Sequence, residues 1–228
     1  MQSREMSGVP HIFATDDVFH IRGLTLADTQ VLTRAFLGQR QWEAVVPGMD
    51  SIALRYDPQD KDCETLMMEI AAHLAALDST AGARCAGEIE IPFCTDDSMA
   101  PDKAQVSAAM GVASDHFDAW VEGLTLTVAL MGFQPGFAYL VTSGDCPALP
   151  RLATPRQSVA AGSVGFLGTQ CGIYPFEGPG GWPIIGRTPL RLFDPARDPP
   201  ALLQAGMRVR FRAIGLDEYN RTVGVQEQ

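Results

Sequence analysis

The residues best suited to chemistry in this chain are arginines set beside prolines and glycines. Arg151 and Arg156 each follow a proline, and Arg187 lies between Gly186 and Thr188. Because proline fixes its own φ, each Pro-Arg pair is expected on an extended, turn-like backbone. A guanidinium binds a carboxylate or a phosphate through paired hydrogen bonds. These residues therefore predict an anion-binding site, with solvated surface arginines as the alternative interpretation.

A second group of residues combines aromatic rings with turn formers. Residues 132–140 (GFQPGFAYL) interleave two phenylalanines and a tyrosine with glycine and proline, and residues 178–182 (GPGGW) place adjacent glycines before a tryptophan. Adjacent glycines permit positive φ and a close approach of the backbone to a ligand. Two interpretations are open: the wall of a ligand pocket, and a tight corner whose rings fold into the core.

Several common catalytic arrangements are missing from the sequence. It contains no GxxxxGK[ST] loop and no HExxH or Cys/His cluster, so we expect neither a P-loop nucleotide site nor a metal site. Ser163 lies in AGSVG, which lacks the first glycine of a nucleophile elbow, and no histidine follows it. Cys171 has no histidine or lysine near it in the sequence. We therefore expect no complete hydrolase site within this chain alone.

The composition limits the classes of protein to which this chain can belong. The 228 residues include 27 acidic and 17 basic side chains, and the net charge of −10 disfavours binding to nucleic acids or anionic membranes. The charge is uneven, because residues 150–228 hold nine of the basic residues, all arginine. Five cysteines without a CxxC pair, no signal-like N-terminus and no long apolar segment predict a cytoplasmic location.

The first part of the chain alternates strand and helix patterns. Three short β-prone segments alternate with two helical stripes, and Thr25 is the predicted N-cap of the first helix. Ile52, Leu54 and Tyr56 share one face of a predicted strand. This order, completed by a strand at residues 89–93, is typical of a ferredoxin-like α+β unit.

Beyond residue 124 the chain becomes rich in glycine and proline, which favours short strands over long helices. Strands are predicted at residues 163–167, 171–176, 184–185, 190–193 and 207–214. In the last of these, apolar residues alternate with Arg208, Arg210 and Arg212, so one face is core and the other carries guanidinium groups. An all-β barrel or closed sheet is the expected architecture. Four earlier acidic residues are interpreted as helix caps or solvated side chains: Asp97, Asp102, Asp115 and Asp118.

Five blocks of sequence together resemble one family. They are residues 132–140 (GFQPGFAYL), 150–164 (PRLATPRQSVAAGSV), 169–175 (TQCGIYP), 178–194 (GPGGWPIIGRTPLRLFD) and 199–211 (PPALLQAGMRVRF). In this order they are similar to the allophanate hydrolase subunit 1 / carboxyltransferase subdomain family, which includes one of the 5-oxoprolinase subunits and a sporulation-kinase inhibitor. The resemblance covers about residues 89–214 and is weak before them.

The resemblance implies a fold and a set of site residues. The implied fold is a ferredoxin-like α+β domain over residues 1–87, followed by a cyclophilin-like β-barrel domain over residues 88–228. The implied substrate- or anion-binding residues are Arg151, Arg156, Gln170, Arg187 and Thr188. The implied pocket wall consists of Phe133, Phe137, Tyr139, Tyr174, Gly180, Gly181 and Trp182. It assigns no catalytic residue.

The resemblance also implies a function. The chain would be a subunit of an ATP-dependent 5-oxoprolinase- or allophanate hydrolase-type complex that cleaves a small amide, most directly 5-oxoproline to glutamate, and it would be inactive alone. ATP would be shared with partner subunits, namely a homologous second subunit and a third, lactam-utilisation subunit. The alternatives are a regulatory protein that inhibits a sensor histidine kinase, and a carboxyltransferase-like module served by biotin on another chain.

The chain departs from the family pattern at several positions. The usual histidine position is near Val121 here, a usual tyrosine position is Leu126, and a usual Tyr-Gly-Gly corresponds to residues 95–97 (TDD). Because these losses remove proton-transfer and hydrogen-bonding groups, they predict a divergent paralogue with altered or reduced activity.

Overall fold

The computed structural model describes residues 9–77, 86–144 and 146–226. Contacts between Cα atoms divide the chain into two compact units, Met1–Arg84 and Cys85–Gln228. The domain boundary that the sequence suggests, after residue 87, stays a prediction.

The first unit is a four-stranded antiparallel sheet with two helices. The sheet has the strand order β1-β2-β4-β3. Its elements are β1 (His11–Ala14), β2 (Val18–Arg22), α1 (Leu26–Leu37), β3 (Ala44–Pro47), β4 (Ser51–Arg55) and α2 (Cys63–Ala75). The Thr25 hydroxyl caps α1 by accepting a hydrogen bond from the Asp28 amide at 3.1 Å, so the predicted N-cap is confirmed.

The period-two pattern of β4 explains which face of this sheet is buried. Ile52, Leu54 and Tyr56 are all buried, as their spacing predicts. They pack in one cluster with Phe19 of β2 and Phe36 of α1. The helices therefore cover the apolar face of the sheet.

The strand predicted to complete this sheet belongs to the second unit. β5 (Glu88–Phe93) pairs in parallel with β13 (Arg208–Ala213). The prediction that residues 89–93 complete the first sheet is therefore wrong. The hairpin partner β1 occupies the edge of β2, so that edge is already hydrogen-bonded before the chain reaches the second unit.

The second unit contains a seven-stranded sheet and a separate two-stranded ribbon. The sheet order is β12-β9-β10-β7-β6-β13-β5, and the ribbon pairs β11 with β8. The elements between β5 and β13 are α3 (Lys103–Met110), a 3₁₀ turn (Ser114–His116), α4 (Phe117–Glu122), β6 (Leu126–Met131), β7 (Ala138–Thr142), β8 (Arg156–Val159), β9 (Ser163–Phe166), β10 (Gln170–Ile173), β11 (Gly178–Gly180) and β12 (Ile184–Arg187). A final helix, α5, spans Leu216–Gln226.

The seven-stranded sheet is nearly closed into a barrel. Its two edge strands meet where Cys94, just past β5, forms an antiparallel bridge with Arg187 of β12. The amides and carbonyls of these two residues exchange two hydrogen bonds of 2.9 Å. The barrel-like sheet expected from the short strands is therefore present. The predicted strand at residues 190–193 is reduced to a single bridge at Phe193.

Carboxylates of neighbouring elements pair with the arginine face of β13. Arg210 lies 2.7 Å from Glu88 on the parallel strand β5. Arg212 contacts Glu90 at 3.0 Å and Glu218 of α5 at 2.9 Å. Two of the three guanidinium groups predicted on this face are therefore paired with carboxylates of the same unit.

Candidate functional site

The predicted aromatic residues meet around one cavity, which we call the aromatic cavity. It has a volume of about 290 Å³. Arg151 lies at this cavity, together with Pro155 and Pro179. The structure brings all the predicted wall residues together here: Phe133, Phe137, Tyr139, Tyr174, Gly180, Gly181 and Trp182.

The aromatic rings of this cavity serve the core and the cavity together. Phe137 and Tyr174 are almost fully buried, with ring centroids 5.2 Å apart in an edge-to-face arrangement. Tyr139 continues the wall, 4.8 Å from Phe137 and 6.0 Å from Trp182 between ring centroids. Phe133, in contrast, is 60% exposed at the cavity. Both interpretations of residues 132–140 therefore hold, each for different side chains.

The backbone at this cavity is specialised. A Cβ added to Gly180 would lie 2.6 Å from the Tyr174 hydroxyl and 2.8 Å from Val159, so only glycine fits there without a shift. Phe133 adopts a φ of 68°, in the region that non-glycine residues rarely occupy. Such strain is typical of ligand-binding sites, because surrounding structure must hold the residue in place.

Two anchors position the polar groups of the aromatic cavity. The loop that carries Arg151 is tied down by the Leu152 amide, which donates to the Gly181 carbonyl at 2.8 Å. The Tyr174 ring is held by packing, since the residue is almost fully buried and meets Phe137 edge to face. Burial and the nearby Tyr139 raise the pKa of Tyr174 more than Arg151 and Arg156 lower it. The phenol is therefore neutral at pH 7 and keeps its own hydrogen for donation.

Arg156 is held by an acidic partner that sequence reasoning missed. Its two terminal nitrogens donate to the two carboxylate oxygens of Asp102 at 2.8 and 2.9 Å. Asp102 also accepts from the Ile184 amide at 2.6 Å and is only 9% exposed. These hydrogen bonds raise the pKa of Arg156. The interpretation of Asp102 as a cap or a solvated side chain is wrong, because its oxygens face β8 and β12 and make no cap hydrogen bond.

Arg156 and Arg187 line a second cavity, which we call the arginine cavity. It has a volume of about 230 Å³ and is also lined by Ser98, Ser158 and Ser163. Arg187 is fixed by its Nε, which donates to the Ala161 carbonyl at 2.6 Å. This cavity and the aromatic cavity share no lining residue within the described part of the chain.

The remaining predicted anion-binding residues lie elsewhere. Thr188 is buried at a third cavity of about 470 Å³, which Arg187 also lines, and its hydroxyl accepts from the Leu190 amide at 3.2 Å. Gln170 begins β10 opposite Val141 and lines none of these three cavities. The five residues grouped by the sequence are therefore distributed over several places in the second unit, and their role in anion binding stays a prediction.

Cys171 is unsuited to nucleophilic catalysis. Its side chain is buried in the core of the second unit. Burial raises the pKa of this thiol far above its ordinary value, so the thiolate is absent at neutral pH. The position therefore serves packing.

The described residues bear on two further kinds of structure, a metal site and a membrane-spanning helix. Within residues 9–77, 86–144 and 146–226, no group of three or more His, Cys, Asp or Glu side chains is arranged to hold a metal ion. In the same ranges, no helix combines the length and apolar character needed to cross a bilayer.

The sequence of this chain matches the model of a known family. The model of the family described as carboxyltransferase domain, subdomain C and D, matches residues 24–203. The chain belongs to this family. The match begins inside the first unit, so the family likeness extends well before the residues on which the sequence motifs rest.

Individual relatives are named for one activity, as the same subunit of 5-oxoprolinase in different bacteria. The chain is 46% identical over 123 residues to this 5-oxoprolinase subunit from Escherichia coli O157:H7, covering 54% of this chain and 56% of the relative. It is 41% identical over 133 residues to the corresponding 5-oxoprolinase subunit from Bacillus subtilis strain 168, covering 58% and 55%. The match thus spans about half the length of these curated relatives.

Solved structures agree with the fold. The crystal structure of TTHA0988 superposes with a TM-score of 0.71 and 31% identity, covering 86% of this chain and 40% of the other. The urea amidolyase of K. lactis has a TM-score of 0.71 at 16% identity, covering 97% of this chain and 16% of the other. The second likeness concerns the fold alone.

Proposed function

We propose that this chain is a subunit of an ATP-dependent, 5-oxoprolinase-type complex that opens 5-oxoproline to glutamate. The observation that carries the proposal is the aromatic cavity with Arg151 beside it. The relatives named as 5-oxoprolinase subunits support the class of reaction. The finer fold assignments are part of the same proposal: ferredoxin-like for residues 1–87 and cyclophilin-like for residues 88–228.

The cavity suits a small cyclic amide that carries a carboxylate. Arg151 would bind the carboxylate through two hydrogen bonds. The rings of Phe137, Tyr139 and Trp182 would pack against the flat apolar ring of the substrate. The Tyr174 phenol, kept neutral by its raised pKa, would donate to the amide carbonyl. In the net reaction water adds to the carbonyl carbon and the ring C–N bond breaks.

ATP is proposed to bind mainly through other subunits. ATP would supply carbonyl activation by phosphorylation. The sequence has no GxxxxGK[ST] loop, and Arg151 is the one charged side chain among the described residues that line the aromatic cavity. These residues do not fit a triphosphate. We therefore assign to this chain only substrate binding and orientation.

The residues that line the aromatic cavity also favour inactivity of the isolated chain. Within the described residues that line the aromatic cavity, none is a carboxylate, a histidine or a thiol that could act as a general base or nucleophile at pH 7. A homologous second subunit and a lactam-utilisation subunit would complete the site. The predicted cytoplasmic location, where such complexes meet ATP, belongs to the proposal.

The test is a steady-state assay of the complex reconstituted from this chain and its two partner subunits. We expect ATP-dependent glutamate release from 5-oxoproline, and no release from this chain alone. Arg151→Met should raise KM for 5-oxoproline about ten- to a hundredfold, since hydrogen bonds to charged groups are strong. Arg208→Met, an exposed arginine on β13, is the matched control and should leave KM unchanged.

Two results would contradict the proposal at different points. A complex without turnover of 5-oxoproline would reject the reaction. Turnover with an unchanged KM in Arg151→Met would keep the reaction and reject the aromatic cavity as its substrate site.

A carboxyltransferase-like module is the second candidate, because the matching family is described by that activity. The sequence has no Met-Lys-Met for biotin attachment, so biotin would come from another chain. Transfer of labelled carboxylate from a carboxybiotinyl partner to an amide acceptor, with no glutamate release from 5-oxoproline, would favour this candidate.

A further inference from the structure

The arginine cavity is a second polar site that the proposed reaction does not use. It lies between residues 98–101, which precede α3, and the strands β8, β9 and β12. Its volume of about 230 Å³ holds a small ion with several waters, at roughly 30 Å³ per water. Two guanidinium groups, Arg156 and Arg187, line it.

Ser163 provides an unsatisfied donor at this cavity. The residue is 5% exposed and lines the cavity at the start of β9. Its backbone carbonyl already accepts a hydrogen bond from the Tyr174 amide at 2.9 Å. Among the hydrogen bonds of the described residues, none involves its hydroxyl. A hydroxyl that lines a cavity without a protein partner indicates a place for water or a ligand oxygen.

Both arginines are oriented by the protein and keep donors available. Arg187 uses Nε on the Ala161 carbonyl, and no protein partner of its terminal nitrogens occurs among the described residues. Arg187 also lines the third cavity, where its charge acts on Tyr219. Arg156 uses one hydrogen of each terminal nitrogen on Asp102, which leaves three of its five N–H groups. Arg156, Arg187 and Asp102 carry two positive charges and one negative charge, and the carboxylates of Asp96 and Glu177 lie next to two serines of the cavity wall.

Two carboxylates next to the cavity limit the negative charge that a bound anion could carry. Asp96 accepts the Ser98 hydroxyl at 2.6 Å, and Glu177 accepts the Ser158 hydroxyl at 2.5 Å. Neither carboxylate lines the cavity. These two serines therefore already donate to carboxylates, and the free donors come from three other groups: Arg156, Arg187 and Ser163.

We infer that the arginine cavity binds a tetrahedral oxyanion, inorganic phosphate or a phosphate monoester of similar size, at a site separate from the aromatic cavity. Two arginines and a serine line the cavity from three different strands, which matches an anion with oxygens on several sides. A carboxylate, whose two oxygens lie in one plane, would leave part of this donor set unused. The inference stands whether or not the proposed reaction is right.

The test is a titration of the ¹⁵N-labelled full chain with potassium phosphate, at ionic strength held constant with KCl and followed by NMR. We expect saturable shifts at the amides of residues 158–163 and at Arg187, with much weaker effects from acetate. Arg187→Met should weaken phosphate binding about tenfold or more, and Ser163→Ala about three- to tenfold. Because Ser163→Ala removes no protein hydrogen bond, its thermal midpoint should match that of the unsubstituted chain.

The controls locate the ion. Arg208→Met removes the same charge from β13 and should keep the original phosphate affinity, as should Arg151→Met in the aromatic cavity. The inference is wrong if no saturable shift appears, if both cavity variants bind phosphate unchanged, or if Arg151→Met is the variant that loses binding. Acetate binding as tight as phosphate would overturn the tetrahedral assignment.

Discussion

Replacing Asp102 by asparagine tests the interaction that holds β8, α3 and β12 together. One Asp102 oxygen accepts from both Arg156 and the Ile184 amide, while the other accepts from the second terminal nitrogen of Arg156. In either orientation, the asparagine NH₂ would face an N–H donor. The substitution therefore breaks at least one hydrogen bond and removes the charge that neutralises Arg156.

The size of the expected loss of stability follows from how deeply Asp102 and Arg156 are buried. Removing one member of a fully buried ion pair costs about 3–5 kcal/mol. The Arg156 side chain is 32% exposed and that of Asp102 is 10% exposed, so water reaches one side of the pair. We expect a loss of about 2–3 kcal/mol in the free energy of unfolding, which shifts the thermal midpoint by about 5–10 °C in a chain of this size.

Urea denaturation followed by tryptophan fluorescence measures this loss, since Trp120 and Trp182 both lie in the second unit. Asp97→Asn makes the same chemical change at an exposed position and should stay within about 0.5 kcal/mol. A double-mutant cycle with Arg156→Met should show a coupling of at least about 1 kcal/mol. A loss below about 0.5 kcal/mol for Asp102→Asn, or no coupling, would refute the reasoning.

Two further predictions concern the interior of the second unit. Because burial raises the folded-state pKa of Cys171, stability is complete below the ordinary thiol pKa of about 8.5 and falls as pH rises above it, by up to about 1.4 kcal/mol per pH unit. Denaturation at pH 8 to 9.5 should show this slope, reduced in Cys171→Ala; an equal slope in both proteins would count against it. Gly180→Ala should cost about 1–3 kcal/mol by pushing on the Tyr174 hydroxyl. Gly38→Ala, with no atom within 4 Å of the added Cβ, is its control, and equal melting temperatures would contradict the packing argument.

Much of the aromatic cavity could be predicted from the sequence because its residues are carried by short, unusual motifs. Residues 132–140 and 178–182 restrict the backbone through glycine and proline, and the aromatic side chains follow from that local geometry. The burial pattern of β4 was predictable for the same reason, since an alternation of period two reports directly on one strand. Local patterns of this kind need no knowledge of distant partners.

The predictions that differ from the structure concern contacts between residues that are far apart in the sequence. The sequence predicts β5 in the sheet of the first unit, whereas it pairs with β13, because strand-forming propensity does not say which neighbour a strand will pair with. Asp102 looked like an ordinary helix cap, because its arginine lies 54 residues away in the sequence. The predicted arginines were grouped by their similar local settings, although Arg151 and Arg187 line different cavities.

By itself the sequence determined the family, the apolar faces of its strands and the aromatic composition of the candidate substrate site. These depend on residue type and short spacing, which the chain carries locally. Only the tertiary structure decided that the barrel-like sheet is joined between Cys94 and Arg187, that Asp102 neutralises Arg156, and that Arg151 lines a different cavity from Arg156 and Arg187. The physical reason is that charge pairing and cavity shape arise from packing between elements, and packing depends on the whole unit.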